Sequence, residues 1–132
     1  MRIFLDANIL FSGSLPNSRM GAFLDALFEE GECLTNNYAV EEARRNLAAK
    51  FPEGLKALER LTERCKLVSR LTTALEVDLP PKDIPILGGA IAGRATHLLT
   101  GDERDFGKFW GRIIQGVKIV SPRMLAKELR RS

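Results

Sequence analysis

The stretch Arg2-Ile3-Phe4-Leu5-Asp6 opens the chain with a short apolar run that ends at a carboxylate. Such a run is typical of a strand that is buried on both faces, as in a parallel sheet. A second run of this kind, His97-Leu98-Leu99, is followed by the polar residues Thr100-Gly101-Asp102. In parallel α/β sheets the ligand crevice lies beyond the carboxyl ends of the strands, so both aspartates are predicted to lie at that edge.

The segments around these two strands alternate between helical and strand-like patterns. Helices are predicted at about 19–30, 36–50, 53–64 and 83–95, and another begins at Pro122. Further short strands are predicted at 33–35, 67–68 and 117–120, and the segment 8–16 is loop-like at its end. Strands that alternate with helices imply right-handed βαβ units. We therefore expect one α/β domain, residues 1–132, with about five parallel strands flanked by helices.

Composition restricts the class of protein. The 132 residues are 45% hydrophobic and 28% charged, which is ordinary for a globular domain with one core. Asp6 interrupts the first apolar run, so neither a secretory signal nor a membrane span is predicted. Cys33 and Cys65 form no CxxC pair, and we expect a reduced, cytoplasmic protein. The net charge of +3 weakly favours an anionic partner.

Three aspartates are predicted to meet at the carboxyl edge of the sheet. Asp6 and Asp102 follow strands, and Asp83 begins the helix that leads into the second of them. Carboxylates without Cys or His partners favour Mg²⁺ or Mn²⁺, and such an ion can activate water for attack on a phosphodiester. Taken singly, each aspartate also fits a turn or cap, above all Asp83 as a helix N-cap. Their shared placement favours a metal site.

Four segments, in this order, resemble the motifs of the PIN-domain family. They are Leu5-Asp6-Ala7-Asn8-Ile9-Leu10, Ala39-Val40-Glu41-Glu42-Ala43-Arg44-Arg45-Asn46-Leu47, Asp83-Ile84-Pro85-Ile86-Leu87-Gly88-Gly89-Ala90 and His97-Leu98-Leu99-Thr100-Gly101-Asp102-Glu103-Arg104-Asp105-Phe106. Together they span nearly the whole chain. The resemblance implies a three-layer, Rossmann-like PIN fold and a ribonuclease that depends on Mg²⁺ or Mn²⁺. It also implies the toxin component of a VapC-like toxin–antitoxin pair.

The resemblance assigns roles to individual acids. Asp6, Asp83 and Asp102 would be catalytic and bind metal, and Glu42 would complete the acidic pocket and position the water. Glu41 is the competing assignment on the same helix. Asp105 would bind a second metal ion, or else form a salt bridge with Arg104 or a lysine.

Polar and basic residues complete the predicted site. Asn8 and Thr100 match family positions that support the site by hydrogen bonding. Arg19, after the first loop, and Arg94, near the helix that carries Asp83, are predicted to contact the substrate. His97 is interpreted as structural rather than as a general base. The implied partners are RNA, a small antitoxin protein and a second copy of the chain, with no membrane partner.

Two other functions were weighed against metal-dependent cleavage. Phosphoryl transfer through an aspartyl-phosphate would require Asp-x-Asp after the first strand, but Asn8 stands at the third position. A PIN fold that binds RNA or a protein without cutting is the remaining alternative. Loss of cleavage in an Asp6 variant would separate an enzyme from such a binding module.

Overall fold

The strands of the computed structural model, which describes residues 1–131, form one six-stranded sheet. In chain order they are β1 (Arg2–Leu5), β2 (Glu32–Thr35), β3 (Lys66–Leu67), β4 (His97–Leu99), β5 (Ile113–Ile114) and β6 (Val117–Val120). Their order across the sheet is β3-β2-β1-β4-β6-β5, and only β5 and β6 pair in antiparallel fashion. The parallel strands agree with the prediction, and the antiparallel edge strand β5 is additional. The predicted domain range extends to Ser132, which lies outside the described residues.

Seven α-helices flank the sheet in the part of the chain that the structure describes. They are α1 (Ala7–Gly13), α2 (Arg19–Glu30), α3 (Asn37–Lys50), α4 (Leu55–Arg64), α5 (Ile84–Ala92), α6 (Glu103–Phe106) and α7 (Pro122–Arg130). Short 3-10 turns at Pro52–Gly54 and Pro81–Asp83 lead into α4 and α5. None of the described helices is long and apolar enough to cross a membrane.

Helix α1 occupies a segment for which the sequence pattern predicted no helix. Asp6 caps it, since Oδ1 of Asp6 accepts a hydrogen bond from the backbone N–H of Ala7 at 2.7 Å. Ile9 and Leu10 are buried in the core, and the helix packs against α2, α3 and α4. The helix ends at Gly13, so the chain leaves Asp6 in helical conformation rather than as a loop.

Helix α5 packs unusually close to its neighbours because of its glycines. Gly88 lies beneath the irregular segment 69–80, and its carbonyl accepts a hydrogen bond from the backbone N–H of Thr72 at 3.2 Å. A Cβ at Gly89 would lie 2.4 Å from the side-chain nitrogen of Asn36. The helix ends at Ala92, short of the predicted 95, and Arg94 beyond it has a φ of 55°. This close packing fixes the start of α5, where Asp83 lies.

His97 joins the sheet to α7 at the amino edge of β4. Its Nε2 is 2.8 Å from Oε1 of Glu128, and its Nδ1 is 2.8 Å from Oγ1 of Thr96. The ring itself is buried, with 7% of the residue exposed. The contact with Glu128 spans from β4 to α7, at the opposite edge of the sheet from the predicted acids, and is consistent with the structural interpretation of His97.

Candidate metal centre

The predicted acids gather where β1 and β4 end. These strands are adjacent and parallel, with Leu5 opposite Leu99, and the backbone N–H of Asp6 donates to the carbonyl of Leu99 at 3.1 Å. Asp6 and the turn that holds Thr100 and Asp102 are therefore neighbours, although they are far apart in sequence. Topology thus brings together residues that the sequence separates.

Asp6 is held in one orientation by its surroundings. Its Oδ2 accepts hydrogen bonds from Oγ1 of Thr100 at 2.7 Å and from Nδ2 of Asn8 at 3.3 Å, while Oδ1 accepts from Ala7. Only 3% of the residue is exposed. Oδ2 thus accepts two hydrogen bonds, whereas Oδ1 accepts one and keeps a second lone pair for a cation. Asn8 and Thr100 are therefore placed as donors that orient the carboxylate.

The turn after β4 is organised by the same polar groups. The backbone N–H of Gly101 donates to Oδ1 of Asn8 at 2.8 Å, and that of Asp102 donates to Oγ1 of Thr100 at 3.0 Å. Asp102 in turn caps α6, because its Oδ1 accepts from the backbone N–H of Asp105 at 3.0 Å. These hydrogen bonds leave the second oxygen of Asp102 for another partner.

Asp83, Asp102 and Asp105 form the part of the site best suited to hold a cation. One carboxylate oxygen from each lies within 4.8 Å of those from the other two. Asp83 makes no cap hydrogen bond to α5, so the N-cap explanation of this residue does not hold. Its Oδ2 is buried, and no group among the described residues donates a hydrogen bond to it. A buried carboxylate oxygen without a donor, beside two further carboxylates, suits a hard cation such as Mg²⁺ or Mn²⁺.

Two acids of the site, Asp6 and Asp83, have raised pKa values. Burial raises the pKa of Asp6 to about 6, against the hydrogen bonds from Thr100 and Ala7, and the charges of Glu42 and Asp102 add to the rise. Burial also raises the pKa of Asp83, and its hydrogen bond with Asp105 is the second cause of the rise, which brings the pKa to about 7. The same hydrogen bond, together with Lys82, lowers the pKa of Asp105. Without a cation, the cluster is therefore relieved of repulsion by holding protons.

These shifts predict how the stability of the metal-free protein depends on pH. The folded-state pKa of Asp83 lies above its ordinary value of 3.8, so its contribution is complete below about pH 4 and is lost as pH rises through about 7. In EDTA, Asp83→Asn is expected to be more stable than wild type at pH 8, on the order of 1–3 kcal/mol, with a smaller difference at pH 5. Calorimetric melting at both pH values measures this. An Asp83→Asn protein that is equally destabilised at both would contradict it.

Helix α3 contributes one of its two adjacent glutamates. Glu42 acts on Asp6, since its charge is among the causes that raise the pKa of Asp6. Glu41 instead forms an exposed ion pair with Arg44, at 2.6 Å between Oε1 and NH1. Of the two glutamates, only Glu42 is among the charges that act on Asp6.

Two basic residues predicted to contact substrate lie at different ends of the molecule. Helix α5 begins at the carboxyl edge and ends before β4 starts, so Arg94 lies at the amino edge, next to Gly93, whose carbonyl accepts from NH2 of Arg2 at 2.7 Å. The structure thus does not bring Arg94 to the acids. Arg19 begins α2, which leads to the amino edge at Glu32, so Arg19 starts on the same side as the acids.

Lys82 is the basic residue that the structure does bring to the cluster. Its Nζ lies 3.2 Å from Oδ2 of Asp105, which is the lysine salt bridge considered as one of two roles for that acid. Lys82 was not singled out from the sequence, where only its position before Asp83 was a signal. Asp105 therefore belongs both to the carboxylate group and to an ion pair.

The chain is similar in fold to solved structures, although its sequence matches no known family. No protein-family model and no curated protein matches the chain. The crystal structure of VapBC2 from Rickettsia felis, bound to a DNA fragment from their promoter, contains a similar chain. It has 18% identity, a TM-score of 0.65 and coverage of 92% of this chain and 98% of that one.

Two further solved structures are similar over nearly the same span. FitAcB from Neisseria gonorrhoeae has 19% identity and a TM-score of 0.60, over 92% of this chain and 98% of that chain. A structure of FitAB bound to an IR36 DNA fragment has 19% identity and a TM-score of 0.56, over 91% and 94%. At such identities the likeness is one of fold alone, and the α/β architecture with its mostly parallel sheet is consistent with a PIN-like fold.

Proposed function

We propose that the chain is a metal-dependent endoribonuclease that hydrolyses RNA phosphodiester bonds. The observation that carries the proposal is the buried Oδ2 of Asp83, which has no hydrogen-bond donor among the described residues and lies beside Asp102 and Asp105. Leaving such an oxygen without a partner is unfavourable, and a bound cation would satisfy it. Asp83, Asp102 and Asp105, with Asp6 beside them, would hold Mg²⁺ or Mn²⁺.

The chain's own residues divide the remaining work. A bound ion of this kind would supply positive charge for the phosphate and a more acidic water. Thr100 and Asn8 fix the carboxylate of Asp6, so that its negative charge is already oriented before substrate arrives. Glu42 lies on α3. We propose that it orients the attacking water and accepts the proton of that water at a carboxylate oxygen.

The proposed partners follow from fold and charge. A sequence pI near 9.1, despite the acidic cluster, is suited to an RNA substrate. Arg19 is proposed to contact its phosphates from the start of α2. The solved neighbours are VapBC and FitAB structures, and on that basis we propose that this chain is the toxin of a toxin–antitoxin pair and binds a small antitoxin. The homodimer is proposed from the resemblance to the PIN-domain family alone.

The test is cleavage of RNA by the purified protein with defined metals. Single-stranded and hairpin RNAs are incubated with Mg²⁺, Mn²⁺ or EDTA, and products are resolved by length. Internal cuts are expected with Mg²⁺ or Mn²⁺ and none with EDTA. Undiminished cleavage in EDTA, or RNA binding without cleavage under every metal condition, would overturn the nuclease; the second result would instead indicate a binding module.

A further inference from the structure

Lys82 introduces a positive charge into the acidic cluster from within the chain. It lies in the 3-10 turn directly before Asp83 and pairs with Asp105 at 3.2 Å. Its side chain is 61% exposed, whereas that of Asp105 is 12% exposed. The ammonium group therefore approaches from the solvent side and reaches the acid that is also grouped with Asp83 and Asp102.

The charges around Lys82 belong to the acids proposed to hold the metal. The hydrogen bond to Asp105 raises the pKa of Lys82, and the charges of Asp83 and Asp102 raise it further. The side chain is thus a cation at neutral pH. Within residues 1–131, it is the only lysine or arginine in an ion pair with one of the clustered aspartates.

We propose that Lys82 is a resident counter-cation that competes with a divalent metal ion for Asp105 and so sets the metal concentration at which the site fills. The inference rests on the proposed function, because it concerns the regulation of the same site. In the metal-free protein the ammonium partly neutralises the cluster. When a divalent ion enters, Asp105 is drawn to the ion and the adjacent ammonium is repelled.

Removing the ammonium has two opposing consequences for metal binding. Loss of competition and repulsion tightens binding, whereas loss of a restraint on Asp105 weakens it. The backbone of Asp105 is already fixed by its hydrogen bond to Asp102 at the start of α6. We therefore expect the electrostatic consequence to dominate.

The experiment measures Mn²⁺ binding directly, by electron paramagnetic resonance of free Mn²⁺ at low ionic strength. Lys82→Met removes the charge and keeps the length of the side chain, and it is expected to lower the Kd by about tenfold. Lys82→Arg retains the charge and is expected to stay within about threefold of wild type. Lys56→Met, at an exposed lysine on α4, is the matched control and should leave the Kd unchanged.

A double substitution tests whether the effect passes through Asp105. In an Asp105→Asn background, Lys82→Met should change the Kd by less than about threefold, since the competed carboxylate is gone. Unchanged or weaker Mn²⁺ binding by Lys82→Met would overturn the inference, as would the absence of binding to both proteins. Failure of the proposed function has a different signature: Mn²⁺ binds and responds to Lys82→Met, but no RNA is cut.

Discussion

Asp102→Asn is expected to lower kcat/KM for metal-dependent RNA cleavage by at least about 1000-fold, or about 4 kcal/mol of transition-state stabilisation. The substitution removes a negative charge from the group formed with Asp83 and Asp105. It leaves the fold intact, because the amide oxygen of asparagine can still accept the hydrogen bond from the backbone N–H of Asp105 that caps α6. The loss should therefore be one of chemistry and metal binding.

The matched control removes the same charge elsewhere. Asp25 on α2 is 68% exposed and pairs with Arg64 at 2.7 Å, so Asp25→Asn should leave cleavage within about twofold of wild type. Circular dichroism and melting temperature verify that both variants are folded, and Mn²⁺ titration reports on the site itself. If Asp102→Asn retained more than a tenth of wild-type cleavage, the role assigned to this aspartate would be wrong.

Gly88→Ala is expected to destabilise the protein by about 3 kcal/mol. A Cβ at this position would lie 2.1 Å from the backbone oxygen of Thr72 and 3.2 Å from its carbonyl carbon. Backbone atoms cannot rotate away as a side chain can, so either α5 or the segment 69–80 must shift. Such a shift would also strain the hydrogen bond between Thr72 and Gly88. Urea unfolding, with midpoint and slope compared between variants, measures the loss.

Gly107→Ala is the matched control, because the nearest neighbouring atoms of an added Cβ at this glycine belong to side chains rather than to backbone. At Gly107 the nearest atom to an added Cβ is Cγ of Glu103 at 3.3 Å, which belongs to a flexible side chain. The φ of Gly107 is −56°, which alanine adopts without strain. Gly107→Ala should change the free energy of unfolding by less than about 0.5 kcal/mol. Equal stability of Gly88→Ala and wild type would show that the segment 69–80 is not held against α5.

The sequence allowed the carboxyl edge to be predicted because strand ends are marked by residue type. The apolar runs that stop at Asp6 and before Thr100 are both strands, and α2 and α3 begin within one residue of the predicted helix starts. Parallel pairing then follows from the alternation of strands with helices. Convergence of the acids is a consequence of that topology.

Three features were not predicted correctly from the sequence: helix α1, the position of Lys82 and the position of Arg94. The physical reason differs from one to the next. Helix α1 was not predicted because it is only seven residues long and is followed by a loop that contains polar residues and proline. Its few apolar residues are too short a stretch to establish a helical period. Lys82 was missed because its partner, Asp105, lies on another element, and no local pattern encodes an ion pair of that kind. Arg94 was predicted to contact the substrate, but it lies at the amino edge of the sheet. A helix that begins at one edge of a parallel sheet and leads into the next strand ends at the other edge. Following the direction of α5 would have excluded it.

Helix α6 ties two carboxylates to a single turn of backbone. Asp102 accepts the N–H of Asp105 at 3.0 Å, so neither residue can move far without the other. The proposed metal ion, once bound to one of these acids, would meet the second at a high effective concentration, with little further loss of chain entropy. For the proposed metal ion, the turn would thus act as a bidentate chelator formed by two side chains, whose spacing is restrained by the hydrogen bond between the backbone N–H of Asp105 and Oδ1 of Asp102.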